Sequence, residues 1–493
     1  MYKPSRSEFK RLARQHDLIP VYREIIADAE TPVSAFLKLG GSENAFLLES
    51  ADRGLRVGRY SFLGAGAQRT IKAKGTAVEV EEGDSIEKYE SENPLFELRR
   101  FMPARPAPPG ALPGFCGGAV GYLGYDAVRR FERLPGMPED DLGLPDMAFM
   151  IADTALIFDH LKHKAMVVSN ARVEGDASEA YDRAISEIDG AVKKLQSTIT
   201  VSPIPSAVPV SGKAMSGNVS RQDFERMVDK AKEYISAGDI FQVVLSQRFS
   251  AKLEADPFDV YRILRTINPS PYMAFIRIDG ISLAGASPEP LITVSGRRVA
   301  TRPIAGTRRR GATDAEDEAL AAELLADEKE RAEHIMLVDL GRNDLGRVCT
   351  PSSVDVEEMM VVEKYSHVMH LVSTVAGKLL PSLDALDALR AAFPAGTVSG
   401  APKIRAMEII DELEPQARGP YAGVYGYLGY SGDLDCGITI RTVIICDGMA
   451  HVQAGAGIVA DSVPFREYDE CVNKARALFA AVAGANAAAG AGR

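Results

Sequence analysis

The chain has no run of about 18 apolar residues, so no membrane-crossing helix is expected. Its basic start, "MYKPSRSEFKRLARQH", leads into no signal-peptide apolar stretch, and the expectation is a soluble cytoplasmic protein. Cysteine is scarce. Cys116, Cys349, Cys436, Cys446 and Cys471 are odd in number and include no CxxC pair, which fits reduced thiols in a reducing compartment. An excess of positive charge is missing too. The formal net charge is -11, whereas nucleic acid or an anionic membrane demands a broad cationic surface, so neither is expected as a partner.

What remains is the composition of an ordinary globular protein, 46% hydrophobic and 25% charged, and 493 residues can bury a large core and make two domains. The stretch "QSTITVSPIPSAVPVSGKAMSG", residues 196–217, is rich in Pro, Ser and Val without helical period and marks the expected linker. A first domain, 15–195, holds strand-like runs such as "AFLLES", "MAFMIADTALIFD" and "AMVVSN" and ends in the helical "SEAYDRAISEIDGAVKKL". A second, 218–482, opens with a helix capped by Ser220 and stopped by Gly238, then runs through closely spaced short strands. Such meandering implies antiparallel sheets, and helices in blocks rather than strict alternation favour α+β. "GAVGYLGYD" (118–126) and "GVYGYLGYSG" (423–432) echo one another, as corresponding strands of two packed sheets or by chance. The tail 483–493 reads as disordered. "GFCGG" has the outline of a nucleophile elbow but no helix start after it, so Cys116 is expected in a strand.

Chemistry concentrates in "DEKERAEHIMLVDLGRNDLG", read as a charged helix that stops in a turn at Arg342, Asn343 and Asp344. Glu330 and Glu333, at i and i+3, share one helix face, where like charges repel unless solvent or a cation relieves them. Glu467 and Glu470 repeat that spacing near the C-terminus. Two unrelated solvated faces would explain both pairs. Were the pairs to meet, four carboxylates with all-oxygen ligation would suit Mg²⁺. His367 and His370 lie an odd number apart in an apolar strand pattern and point to opposite faces, one available as an acid or base. In "FPAGTVSGAPKIRAMEII" a loop with Gly396 and Gly400 enters a helix with Pro402 in its first turn, where free amides can meet an anion. From the residues alone, the expectation is a metal-assisted enzyme acting on a small carboxylate.

The ordered motifs "GRYSFLG", "NPSPYMAF", "TRPIAGTRRRG", "EHIMLVDLGRNDLGRV", "HVMHLVS", "GPYAGVYGY" and "QAGAGIVADSVPFREY" resemble anthranilate synthase component I from about residue 15 to 480. The resemblance implies two packed antiparallel sheets edged by helices, with a regulatory first domain and a chorismate-binding second one. It implies conversion of chorismate and ammonia, through an aminodeoxyisochorismate intermediate, to anthranilate and pyruvate. By the same resemblance Glu333 and Glu470 match Mg²⁺ ligands, and Glu330 and Glu467 hold its waters. Tyr421, Arg441 and the amides near Gly455 and Gly457 clamp the enolpyruvyl carboxylate, Thr397 is a ring-side contact, and Thr301, Gly396 and Lys474 meet substrate. Glu289 is implied as the general acid and His370 as the base or orienting group for the elimination. Lys403 is a further residue for carboxylates, and the Arg308 to Arg310 run is read as solvated surface.

Relatives that use water place a lysine where this chain has Gln242, and many aminodeoxychorismate synthases carry a nucleophilic lysine at Ala305 in "PIAGT". Direct attack by ammonia is the consistent route. The chain has no glutaminase domain, so a glutamine amidotransferase subunit, component II, is the expected partner, in a hetero-oligomer of two of each subunit. Ser50, Pro271, Tyr272 and Met273 resemble a feedback pocket for L-tryptophan, a residue this chain itself lacks. The alternatives are an aminodeoxychorismate synthase and, from another class, a non-catalytic tryptophan-sensing subunit.

Overall fold

Alternating and continuous apolar runs pair into two large antiparallel sheets. The computed structural model describes all residues except 42, 51–57, 200, 202–203, 205–214, 366–367 and 492–493. Among the described residues, one sheet has 13 strands and the other 12. Their facing apolar sides, Phe46 and Ile276 from one and Ile71, Val120 and Ile292 from the other, share the largest core. On the outer face of the first sheet, helices Ala177–Leu195, Pro257–Ile267 and Pro464–Ala491 bury Ile188, Tyr261 and Leu478 in a second core. The α+β class and the paired sheets expected from the sequence are therefore the observed architecture.

Local signals hold at the helix ends. Ser220 accepts from the amide of Asp223 at the start of Arg221–Ala237, and Gly238 closes that helix at φ 84°. Helix Glu328–Gly346 starts on Asp327, whose carboxylate accepts from the amides of Lys329 and Glu330. It does not stop at Arg342: the expected turn is helix interior. Gly341 is there for a close approach, since a Cβ would lie 3.0 Å from the Thr301 methyl on the sheet below.

Three long-range expectations change. Residues 196–217 do not separate two sheets, because each sheet joins a block of strands from before them to a block from after them along one seam. Ala45–Glu49 pairs with Tyr272–Ile278, and Gly118–Leu123 pairs with Val424–Gly429. That second pairing also explains the sequence echo. The two Gly-Tyr-Leu-Gly segments are antiparallel neighbours in one sheet, Gly121 opposite Gly426 and Tyr122 opposite Tyr425, not equivalents in two. The tail is helical to Ala491, because alanine has the highest helix propensity and Leu478, Ala481, Val482 and Ala485 recur on one buried face. Cys116 lies just before strand Gly118–Leu123 rather than within it, buried, with its thiol pushed up to about 12 by burial and so inert. Most of the linker lies outside the described residues, as does His367.

Candidate active site

Helices Glu328–Gly346 and Pro464–Ala491 are far apart in sequence, yet both present their acidic pairs to one cavity of about 770 Å³. Glu330, Glu333, Glu467 and Glu470 all line it. Burial, then the neighbouring Glu330, raises the pKa of Glu333; burial, then Glu470 after a countering bond from Ser462, does the same to Glu467. The charges are partly met by protein cations. Arg308 lies 3.1 Å from Glu330, and Lys474 lies 2.6 Å from Glu470. An all-carboxylate set without sulfur or imidazole fits a hard, oxygen-seeking cation such as Mg²⁺. Among the described residues, no three of His, Cys, Asp and Glu are already gathered closely enough to hold one.

The opposite wall carries the other predicted residues. Glu289 stands at the edge of strand Pro290–Ser295 and accepts a bond of 2.9 Å from the Thr397 hydroxyl. Burial pushes its carboxyl up to about 8, against the opposing pull of Thr397 and Lys474, so it carries a proton at neutral pH. Arg441, its pKa lowered by burial, has no carboxylate partner among the described residues and donates to the Lys474 carbonyl at 2.9 Å. Tyr421, Gly455 and Gly457 line the cavity beside it. The two glycines keep the wall thin, since Cβ atoms there would lie 2.9 Å from the Tyr421 hydroxyl and 2.6 Å from the Gln242 amide nitrogen. Gln242 also lines the cavity and bonds to Glu333, so the position that discriminates among relatives faces the reacting space. Ala305 is not on the lining, although Ile304 and Gly306 on either side of it are.

Several predicted residues stand elsewhere. His370 lies behind the wall, its Nδ1 3.0 Å from the Gly306 carbonyl and 3.1 Å from the Thr307 hydroxyl, both on lining residues. Donation from Nδ1 to that carbonyl leaves Nε2 with its lone pair, and burial lowers the pKa so that the ring stays neutral. Thr301 and Gly396 line an adjoining cleft that shares Glu289, Leu337 and Thr397 with the cavity, and the Thr301 hydroxyl is committed to the Leu291 carbonyl at 2.9 Å. Gly396 and Gly400 allow close packing. A Cβ at Gly396 would lie 2.0 Å from Leu340, and one at Gly400, where φ is 143°, would lie 2.2 Å from the Gln242 carbonyl. Pro402 is the N-cap of helix Lys403–Leu413 rather than its first-turn residue.

Lys403 meets a carboxylate of the protein itself, Asp344 at 2.9 Å. The arginine run is exposed at Arg309 but ion-paired throughout. Arg308 binds Glu323, Asp327 and Glu330, Arg309 binds Glu316, and Arg310 binds Asp317, so the run clamps the strand to two helices. Sequence reading missed Lys329, Gln453 and Arg466 on the lining and Arg418 behind it. Arg466, within "PFREYDE", had a signal in its position one residue before Glu467.

A second cavity of about 340 Å³ is lined by all four residues of the expected inhibitor pocket, Ser50, Pro271, Tyr272 and Met273. Tyr60, Phe62 and Gly114 reach it from the first part of the chain, and Tyr425, Tyr427 and Asp435 from the second. The pocket is thus built by both parts, not by a separate first domain. The Ser50 hydroxyl is buried without a partner among the described residues, and burial pushes the Asp435 carboxyl up to about 6 against a 2.8 Å bond from Tyr272.

Comparison with known proteins supplies a family. The family model described as chorismate binding enzyme matches residues 43–480. Anthranilate synthase component 1 of Acetivibrio thermocellus is 48% identical over 98% of this chain and 99% of its own length. The protein of the same name from Thermus thermophilus is 51% identical over 94% and 97%. The crystal structure of anthranilate synthase component I from Streptococcus pneumoniae superposes with a TM-score of 0.76 at 41% identity, over 93% of this chain and 99% of that one. The menaquinone-specific isochorismate synthase of Escherichia coli, at 19% identity and a TM-score of 0.69, shares the fold over 97% of this chain and 99% of that one.

Proposed function

This chain belongs to the chorismate-binding enzymes and, within them, to the anthranilate synthase component I family; from that premise we propose that its acidic cavity converts chorismate and ammonia to anthranilate, pyruvate and water. One observation carries the reading: two acidic helix faces, a protonated Glu289 and the unpaired Arg441 share one cavity. Chorismate brings two carboxylates. Arg441 bonds the enolpyruvyl carboxylate through both oxygens, with Tyr421 and the backbone at Gly455 and Gly457 at its sides and Lys474 close by. Glu333 and Glu470 would hold Mg²⁺, with Glu330 and Glu467 around its waters; when bound, the ion offsets the charge of the ring carboxylate.

Thr397 orients the Glu289 carboxyl, which gives its proton to the departing ring hydroxyl as ammonia forms the new C–N bond. His370, neutral and held by Gly306 behind the wall, is the base or orienting group for the elimination that releases pyruvate and restores the aromatic ring. Thr301 and Gly396 shape the adjoining cleft rather than the clamp. Gln242 cannot activate water as a lysine would, which favours ammonia as nucleophile. The name "component 1" borne by the relatives supports a second component, a glutamine amidotransferase subunit that releases ammonia, in an assembly of two of each. L-Tryptophan fits the pocket at Ser50, Pro271, Tyr272 and Met273 as a feedback inhibitor, with Asp435 available to its ammonium group. Among the described residues no helix is long and apolar enough to cross a membrane, and five buried free cysteines support a reducing cytoplasm. Incubation with chorismate, an ammonium salt and Mg²⁺, read by anthranilate fluorescence, is expected to give product that tryptophan suppresses. Accumulation of an amino intermediate without anthranilate would sink the reading.

A further inference from the structure

Behind the cavity wall sits a buried ion pair that touches neither acidic helix face. Arg418 is 2% exposed and Glu414 4%. The guanidinium donates to both carboxylate oxygens of Glu414, at 2.8 and 2.6 Å, and gives two further N–H groups to carbonyls, Val398 at 2.7 Å and Val244 at 2.7 Å. Its face lies 4.7 Å from the Tyr125 ring and 5.7 Å from that of Tyr421. Val244, Val398 and Tyr421 all line the cavity, and they come from three separate segments of chain.

Glu414 extends the cluster. Its Oε1 accepts from the Ser246 amide at 2.7 Å and from the Ser246 hydroxyl at 2.9 Å. A carboxylate only accepts, so the single hydroxyl proton of Ser246 is committed to it, and the oxygen of Ser246 is left to receive a donor. Gln453, on the cavity lining, supplies that donor from Nε2 at 2.8 Å, which fixes which end of its amide faces Ser246. An isolated charge here would be costly, and apolar residues of similar volume often fill such a space as stably, so what the pair adds is the fixed direction of its hydrogen bonds.

We propose that Arg418, oriented by Glu414, is a positioning residue: it fixes the Val398 carbonyl and so holds the adjacent Thr397 hydroxyl on the Glu289 carboxyl. Lysine in its place keeps the charge but loses the planar fork that reaches two carbonyls and two carboxylate oxygens at once. The inference rests on the cavity being the site of chorismate amination, which turnover by the unaltered chain establishes separately. The test measures kcat and the chorismate KM for Arg418→Lys, Thr397→Val and the double variant, with thermal melting alongside. Arg418→Lys is expected to lower kcat by about tenfold or more while KM changes less than about threefold, and the double variant to be no slower than Thr397→Val alone. Unchanged kcat in Arg418→Lys, or effects of the two substitutions that multiply, would overturn it. Should Arg418→Lys fail to fold, Ser246→Ala carries the test: a kcat lowered at near-native melting temperature supports the cluster's role, and an unchanged kcat overturns it.

Discussion

At the scale of single residues, the chemistry turns on environments that move protons. Glu289, pushed up to about 8 by burial, holds the proton it must donate, so activity is expected below that pH and to fall as pH rises through it. The sign for stability is the same. The folded chain keeps a proton that the unfolded chain releases above its ordinary value of 4.5, so this group's contribution is present at low pH and lost as pH climbs through about 8. Glu289→Gln should remove the basic limb of the profile and lower kcat by roughly 10²- to 10⁴-fold while the melting transition survives. Glu333→Gln and Glu470→Gln should each weaken Mg²⁺ binding by roughly 10- to 100-fold in calorimetry, the range that even outer-shell partners of a metal command. Native Mg²⁺ affinity in both would remove the metal assignment. In the second cavity, Ser50→Ala should weaken tryptophan inhibition about fivefold, the worth of one hydrogen bond of about 1 kcal/mol, with turnover unaltered.

Elements are fitted to one another through glycines whose roles differ by location. Gly426, at φ 156°, faces the Asp435 carbonyl, which a Cβ would meet at 2.2 Å. Its alanine variant is expected to lose about 2 kcal/mol or more, because backbone on the neighbouring strand must move. Gly190 lies in the exposed interior of helix Ala177–Leu195 with nothing within 4 Å of a Cβ. Gly190→Ala should therefore stabilise the protein by about 0.5 to 1 kcal/mol. Denaturant melts of the two variants check both signs, and equal effects would contradict the packing described. The arginine run shows the same principle with charge. Arg308 and Arg309 at the end of strand Ile304–Arg309, and Arg310 just after it, are each met by an acid on a following helix, so a cluster that reads as solvated surface is a clamp.

Across the whole molecule, each sheet is built from both ends of the chain. Strand Ala45–Glu49 has Tyr272–Ile278 at its side, and Gly118–Leu123 has Val424–Gly429. Residues 1–195 expressed alone would leave long unpaired edges in both sheets and are expected to show no cooperative melt. A cooperative transition in that fragment would mean that the two parts fold independently after all. The same seams let the second cavity draw on both parts, Ser50 and Phe62 from one and Tyr272 and Asp435 from the other.

The sequence by itself determined the strand and helix composition, the caps at Ser220 and Gly238, and the kind of chemistry, because these depend on periodicity and on residue type at short spacing. Four glutamates in two i, i+3 pairs were legible for that reason, whereas Glu289, Thr397, Tyr421 and Arg441 were legible only through ordered motifs that resemble anthranilate synthase component I. Only the tertiary structure decided which groups meet. Lys403 with Asp344, Arg308 with Glu330, and Arg418 with Val244 are contacts between residues 59, 22 and 174 apart, set by how strands pair and helices dock. No local pattern encodes such distances. Burial, which raises Glu289 and lowers His370, is likewise a property of the assembled walls, since the same side chains in an open strand would keep their ordinary protons.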